Sequence, residues 1–153
     1  MKFVVLSLPG NKEENLFVFP DILDTSSFVE CVGGVRVGYN HSWERSWTKA
    51  TIITEGNATP EILVNHSNQN YCSKYIHFED DKTSHFVIFP KTIDHDRMFE
   101  ALLMTNNDIV EWYDINATSA GFVSCLGTCY GESQTLDIQS KGKEDTTLLL
   151  SMM

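Results

Sequence analysis

Long apolar runs are missing from this 153-residue chain, as are long blocks of like charge and low-complexity segments. The apolar run at residues 3–6 is much shorter than the roughly 20 residues of a membrane-spanning helix, and it is also too short for the apolar part of an export signal. Apolar residues make up 42% of the chain and charged residues 21%, which is typical of a folded globular protein. We therefore expect a folded cytoplasmic protein that does not contact a membrane.

Basic residues are scarce as well. Eleven Lys and Arg stand against 21 Asp and Glu, which gives a formal net charge of −10. Proteins bind nucleic acid by using Lys and Arg to displace condensed counterions from the phosphates, so this composition argues against nucleic acid as a ligand. The same charge favours a partner with a basic surface, because complementary potentials speed encounter.

Cysteine is sparse, and the four that occur are Cys31, Cys72, Cys125 and Cys129. An even number suggests disulfides in a small secreted chain but not in the reducing cytosol. Cys125 and Cys129 flank a tight turn as in zinc knuckles, but knuckles favour two intervening residues and need a second ligand pair. We expect reduced, mostly buried thiols, with no metal and no cofactor.

Four Asn-x-Ser/Thr sequences are compatible with a different cellular location for the protein. They begin at Asn40, Asn57, Asn65 and Asn116. This pattern is the acceptor for N-linked glycans in secreted proteins. A secreted glycoprotein is therefore an alternative to the cytoplasmic protein, although the N-terminal residues do not read as an export signal.

Two passages of the chain share one order of features. Strand-like runs at residues 2–5 and 16–19 in the first half match runs at residues 74–77 and 86–89 in the second. Each second run ends in Phe-Pro, at Phe19-Pro20 and at Phe89-Pro90. Proline ends a strand because it cannot donate to the ladder, and capping residues then predict a helix a few residues later. Each half therefore predicts two strands followed by a helix.

Further strand-like runs follow each predicted helix. In the first half we expect strands at residues 51–54 and 61–64 around a turn at residues 55–57, and a linker at residues 65–70. In the second half we expect strands at residues 120–125, 128–130 and 135–138, and a C-terminal helix over residues 143–153. The predicted fold is α+β: two diverged ββαββ units, residues 1–70 and 71–153, packed with pseudo-twofold symmetry in one domain with a short C-terminal helix.

Histidines supply two candidate chemical groupings. In Asp94-His95-Asp96 a carboxylate could orient the imidazole, but adjacent helical residues do not share a face, so we expect helix capping beside a partly exposed His95. His77 and His85 bracket a predicted hairpin turn and would stand opposite each other in one strand register. A shift of one residue would separate them, so this pair predicts ordinary strand residues rather than a metal site.

Serine and the aromatic residues give the remaining candidates. Gly131-Glu132-Ser133 lacks the second glycine of a nucleophile elbow, since position 135 is Thr, and Ser133 is expected in a turn. Aromatic side chains dominate binding hot spots. We therefore take the following residues as the candidate ligand- or partner-binding set: Tyr39, Trp43, Trp47, His95, Trp112 and Tyr113.

The second half carries a set of short motifs in a fixed order. They are Ile88-Phe89-Pro90, then His95, then Ser119-Ala120-Gly121-Phe122, then Gly131-Glu132-Ser133-Gln134-Thr135-Leu136. In this the chain resembles small bacterial and bacteriophage proteins that have a Phe-Pro, a His, a Ser-Ala-Gly-Phe and a Gly-Glu-Ser-x-Ser-Leu. The first half departs from the pattern, because Thr25 stands where the His would fall. The resemblance implies a phage or mobile-element origin and transfers no catalytic residue.

Together these features favour a non-enzymatic binding protein. Phage proteins of this size and acidity often bind and block a host factor, so the resemblance implies a host protein as partner, and a small-molecule ligand is the other possibility. The alternative from another class is a small enzyme, a hydrolase or a phosphotransfer protein, that uses His95 or Cys129.

Overall fold

The computed structural model describes residues 1–7, 14–34, 50–66, 73–80, 83–105 and 115–153. The strands are β1 (Lys2–Ser7), β2 (Glu14–Phe19), β3 (Thr51–Asn57), β4 (Ser73–Glu79), β5 (Ser84–Phe89), β6 (Asn116–Val123), β7 (Cys129–Tyr130), β8 (Glu132–Ser133) and β9 (Ile138–Gln139). The helices are α1 (Thr25–Gly33), α2 (Pro60–His66), α3 (His95–Met104) and α4 (Lys143–Met152).

Seven strands form one antiparallel sheet in the order β3-β1-β2-β5-β4-β6-β7. Strands β8 and β9 form a separate two-stranded hairpin. The predicted α+β class and the C-terminal helix are confirmed. Among the described residues, no helix has the length and hydropathy that crossing a bilayer requires.

Helices cover both faces of the sheet, which explains why its central strands are apolar at nearly every position. Side chains that alternate along β1 enter two different cores, so that Val4 packs with α1 and α3 whereas Val5 packs with residues of α2 and α4. Both valines are fully buried. A run without apolar and polar alternation is the pattern expected of a strand buried on both sides.

The two Phe-Pro pairs lie in the same local structure. After each pair a turn is closed by a 3.1 Å backbone hydrogen bond, from Leu23 N to Pro20 O and from Ile93 N to Pro90 O. Asp24 then caps α1 by accepting a hydrogen bond from Ser27 N. Asp94 takes the equivalent position before α3 without a side-chain cap.

A lysine on the first strand of each hairpin reaches the same turn. Lys2 Nζ donates to Leu23 O at 2.5 Å, and Lys74 Nζ donates to Ile93 O at 2.9 Å. Where the two hairpins meet, Val18 of β2 pairs with Ile88 of β5. The sheet and one of its cores thus run without interruption through both halves of the chain.

The first half departs from its predicted second hairpin. Residues 55–57, expected as a turn, belong to β3, and residues 61–64, expected as a strand, lie in α2. Pro60 begins the helix, where its fixed φ is favourable and its missing N–H costs nothing. Glu61 adds a favourable negative charge in the first turn. The predicted linker at residues 65–70 is also partly wrong, because its first two residues end α2.

The hairpins of the second half follow the prediction more closely. The turn between β6 and β7 is closed by Gly127 N donating to Ser124 O at 2.9 Å. The expected strand at residues 135–138 is mostly turn, and Asp137 in it has a φ of 54°. Ser133 ends β8 and its Oγ accepts a hydrogen bond from Leu136 N, so it anchors that turn.

Gly121 on β6 explains one motif in structural terms. A Cβ added there would lie 2.3 Å from the Tyr130 carbonyl oxygen, closer than any real contact. We predict that Gly121→Ala lowers the free energy of unfolding by roughly 3 kcal/mol, because backbone atoms must move apart. Gly34→Ala, whose Cβ would meet only ordinary contacts, should change it by less than about 1 kcal/mol. Urea unfolding of both variants tests this, and equal losses would contradict it.

Candidate functional site

His95 is buried rather than partly exposed, which corrects the prediction. As the first residue of α3 it points to β6, where Nε2 lies 2.9 Å from Gly121 O. Because a carbonyl oxygen can only accept, Nε2 carries the proton and donates. Edge-on contacts with Phe89 and Phe122 enclose the ring. Burial lowers the pKa of His95 to about 4, although the hydrogen bond to Gly121 acts in the opposite direction.

His95 is therefore a neutral, internally bonded group at pH 7. Its role in the described structure is to tie the start of α3 to β6. A second bond at the same place, from Asp96 N to Thr135 Oγ1 at 3.1 Å, ties the helix to the turn after β8. Because Nε2 of His95 already carries a proton and donates it to Gly121 O, this nitrogen cannot act as a catalytic base.

Cys129 is buried as expected, and its environment disfavours a nucleophile. Burial raises the pKa of the thiol to about 12, whereas reactive cysteines need a lowered pKa and access to solvent. Cys31 and Cys125 are half-buried free thiols. In the described part of the chain, no three metal-ligating side chains are close enough to hold an ion.

The register of the β4–β5 hairpin separates the two histidines that bracket its turn. His77 pairs with Phe86, and Phe78 pairs with His85. Neighbouring pairs in a ladder point to opposite faces, so His77 and His85 do not stand opposite each other, as expected for ordinary strand residues. His85 instead lies 3.2 Å from Asp80 through its Nε2. The aromatic candidates Tyr39, Trp43, Trp47, Trp112 and Tyr113 lie outside the described residues.

The structure brings together a polar cluster that sequence reasoning missed. On β4, Tyr75 and His77 share one face of the sheet, and α4 places Asp145 against them. All three side chains are buried, as is Ser119 on the neighbouring strand. We call Tyr75, His77, Ser119, Ser140 and Asp145 the β4–α4 cluster.

The Tyr75 hydroxyl lies 2.5 Å from Asp145 Oδ2 and 2.6 Å from Ser140 Oγ. A carboxylate can only accept, so the phenol proton goes to Asp145 and the Ser140 hydroxyl donates to the phenol oxygen. Burial, and then the hydrogen bond to Asp145, raises the pKa of Tyr75 far above its ordinary value.

Asp145 is the acceptor on which the cluster is built. Its Oδ2 also accepts from Lys141 N at 3.0 Å, and its Oδ1 lies 3.5 Å from His77 Nδ1. Burial raises the pKa of Asp145, but hydrogen bonds from His77, Tyr75 and other neighbours outweigh it and hold the pKa far below its usual range. The carboxylate therefore remains ionised throughout the physiological range.

His77 has one nitrogen occupied and one without a partner. Thr118 Oγ1 at 2.9 Å, Ser119 Oγ at 3.3 Å and Asp145 all lie at Nδ1. The negative carboxylate favours the proton on that nitrogen. Among the described residues, Nε2 is the one buried side-chain nitrogen or oxygen without a hydrogen-bond partner. Glu79 Oε1 lies 3.6 Å from it.

This arrangement does not form a Ser-His-Asp triad. In a triad the serine and the carboxylate contact opposite nitrogens of the imidazole, whereas Ser119 and Asp145 both contact Nδ1 here. Nε2 lies 3.6 Å from Glu79 Oε1 and is enclosed. The geometry of the cluster therefore fits a structural role, in which its polar contacts fix α4 to the sheet, better than the role of an exposed catalytic base.

Comparison of the chain with protein-family models, with curated proteins and with solved structures gives no match.

We predict that Asp145→Ala lowers the free energy of unfolding by roughly 3 kcal/mol, because it leaves buried donors on Tyr75 and His77 without their acceptor. For a chain of this length that corresponds to a fall in Tm of about 6–12 °C. Glu144→Ala is the matched control, since it removes an exposed carboxylate from the same turn of α4. Thermal unfolding should separate the two variants, and an equal fall in Tm would show that the cluster does not fix α4.

A second prediction concerns acid. The unfolded chain takes up a proton at His95 near pH 6.5, whereas the folded protein does so only near pH 4. Stability is therefore lost as the pH falls between these values, by about 2 kcal/mol from pH 7.5 to pH 5. His95→Gln keeps a donor near the position of Nε2 without titrating. Urea unfolding should show a smaller loss in this variant over the same pH range, and an undiminished loss would assign the effect to another group.

Proposed function

We propose that this protein is a non-enzymatic binding protein that docks on the basic surface of a partner protein. The observation that carries the proposal is the formal net charge of −10, together with the exposed carboxylates of the described residues in the first half. In residues 1–7, 14–34 and 50–66 a single lysine occurs beside six acidic residues: Glu14, Asp21, Asp24, Glu30, Glu55 and Glu61. All six are exposed.

Among the described residues of the first half, both cationic groups are already engaged. Lys2 donates its ammonium hydrogen to Leu23 O, and the N-terminal amine pairs with Asp21. An acidic surface of this kind attracts basic partners and repels anionic ones. That supports a protein partner and disfavours phosphate-rich ligands.

The burial of the two candidate catalytic groups favours a binding protein over an enzyme. The groups of the rival enzyme hypothesis, His95 and Cys129, are both buried, with pKa values of about 4 and about 12 that leave each neutral at pH 7. The partnerless Nε2 of His77 is the one described feature that favours an enzyme, and it too is enclosed.

We also propose that the two halves derive from one duplicated unit related by a pseudo-twofold axis. The equivalent Phe-Pro turns, the equivalent lysine bonds and the pairing of Val18 with Ile88 support it. The seam between the halves is filled by apolar side chains, among them Phe19 and Phe89, both fully buried. This packing favours a partner site on the surface over a ligand cleft between the halves. The resemblance to phage proteins favours a host protein as the partner.

Affinity capture from bacterial lysate, after nuclease treatment, tests the proposal with charge-reversed baits. Glu30→Lys combined with Glu61→Lys should lose the partner that the wild type captures. Glu100→Lys combined with Glu132→Lys is the matched control, because Glu100 lies at the position of α3 that Glu30 holds in α1. The control should retain the partner, and raising the salt from about 50 to about 300 mM should weaken capture by the wild type. If the amount of partner captured changes neither with salt nor with charge reversal, the proposal is contradicted.

A further inference from the structure

We infer that β3 is the docking strand, and that the partner adds an extended segment bearing Lys or Arg as one more strand of the sheet. This inference rests on the proposed function and assigns it a site. In the sheet formed by the described residues, β3 lies at one end and pairs with β1 alone. Six of its seven residues are exposed and the other, Thr54, is half-buried.

Two of the exposed side chains of β3 are apolar. Ile52 is 43% exposed and Ile53 is 50% exposed. The register places Thr54 opposite Val5 and Ile52 opposite Leu6, so Ile53 forms a bulge without a β1 partner. Residues 54–57 remain in regular register with β1. An added strand would thus find four regular residues for main-chain pairing and two isoleucines for side-chain contact.

The opposite end of the sheet is protected. Strand β7 has only two residues, and the β8–β9 hairpin packs beside β6. At β7 the backbone N–H of Cys129 already donates to Thr146 Oγ1 of α4 at 2.9 Å. Short edge strands and covering elements are the usual means by which proteins prevent strand addition. Strand β3 has seven residues and pairs only with β1 among the described strands, although it carries a bulge at Ile53 and the charged Glu55.

Charge decides which partner fits this edge. Residues 50–66 contain Glu55 and Glu61 and no Lys or Arg. A second copy of the chain would bring one net charge of −10 against another, which opposes self-association. An extended basic segment instead gains both main-chain hydrogen bonds and electrostatic attraction.

The test uses two synthetic eight-residue peptides, one alternating Val and Lys and one alternating Val and Glu. The Lys peptide should slow amide hydrogen exchange in residues 51–57 and leave β7 unchanged, whereas the Glu peptide should have no effect. Ile53→Lys combined with Glu55→Lys should weaken binding of the Lys peptide at least tenfold. Leu126→Lys, at a site 74% exposed far along the chain from β3, should leave it unchanged.

Three results would overturn the inference. They are equal binding of both peptides, protection outside β3, and full protection of the β3 amides in the free protein, which would mean that the edge is already paired. Lysate capture distinguishes failure of the inference about β3 from failure of the proposed function. If the β3 variant captures the partner as well as the wild type does, while charge reversal at Glu30 and Glu61 abolishes capture, the protein binds a partner through another surface.

Discussion

Burial of both faces of the sheet is the constraint on which the rest of the structure depends. A polar side chain on a strand enclosed in this way must find a partner, because leaving it without a hydrogen bond costs free energy. Strand β4 carries Tyr75 and His77 on one enclosed face. Asp145 of α4 supplies the acceptor that they require. The C-terminal helix is therefore fixed by polar bonds as well as by apolar contact through Leu149.

The same constraint explains why the chemically suggestive residues are not exposed. His95 and Cys129 lie where helices close over the sheet, and burial there favours their neutral forms. The side chains that do face solvent include carboxylates, such as those of Glu30 and Glu61, and the isoleucines of β3. An acidic surface and an end strand with exposed apolar side chains are features through which proteins can recognise partners.

Local sequence signals were reliable where they came with a backbone restriction. The Phe-Pro pairs predicted where the strands end, and the capping residues after them predicted a helix a few residues later, because proline and cap residues act on their own chain neighbours. The run at residues 61–64 misled, since a short apolar stretch fits a strand or a helix equally well. There Pro60 and Glu61 favoured the helix, and the packing of Leu63 against the sheet fixed it.

By itself the sequence determined the composition-level properties: an acidic chain, two hairpins ended by Phe-Pro, and the amphipathic helices that follow them. These depend on residue type and on contacts between near neighbours. Only the tertiary structure decided that His77 lies against Asp145 and not opposite His85, and that β3 and β7 are the end strands of the sheet formed by the described residues. Strand register and sheet order are set by packing between residues as far apart as Tyr75 and Asp145, and a one-residue shift reverses every side chain on a strand.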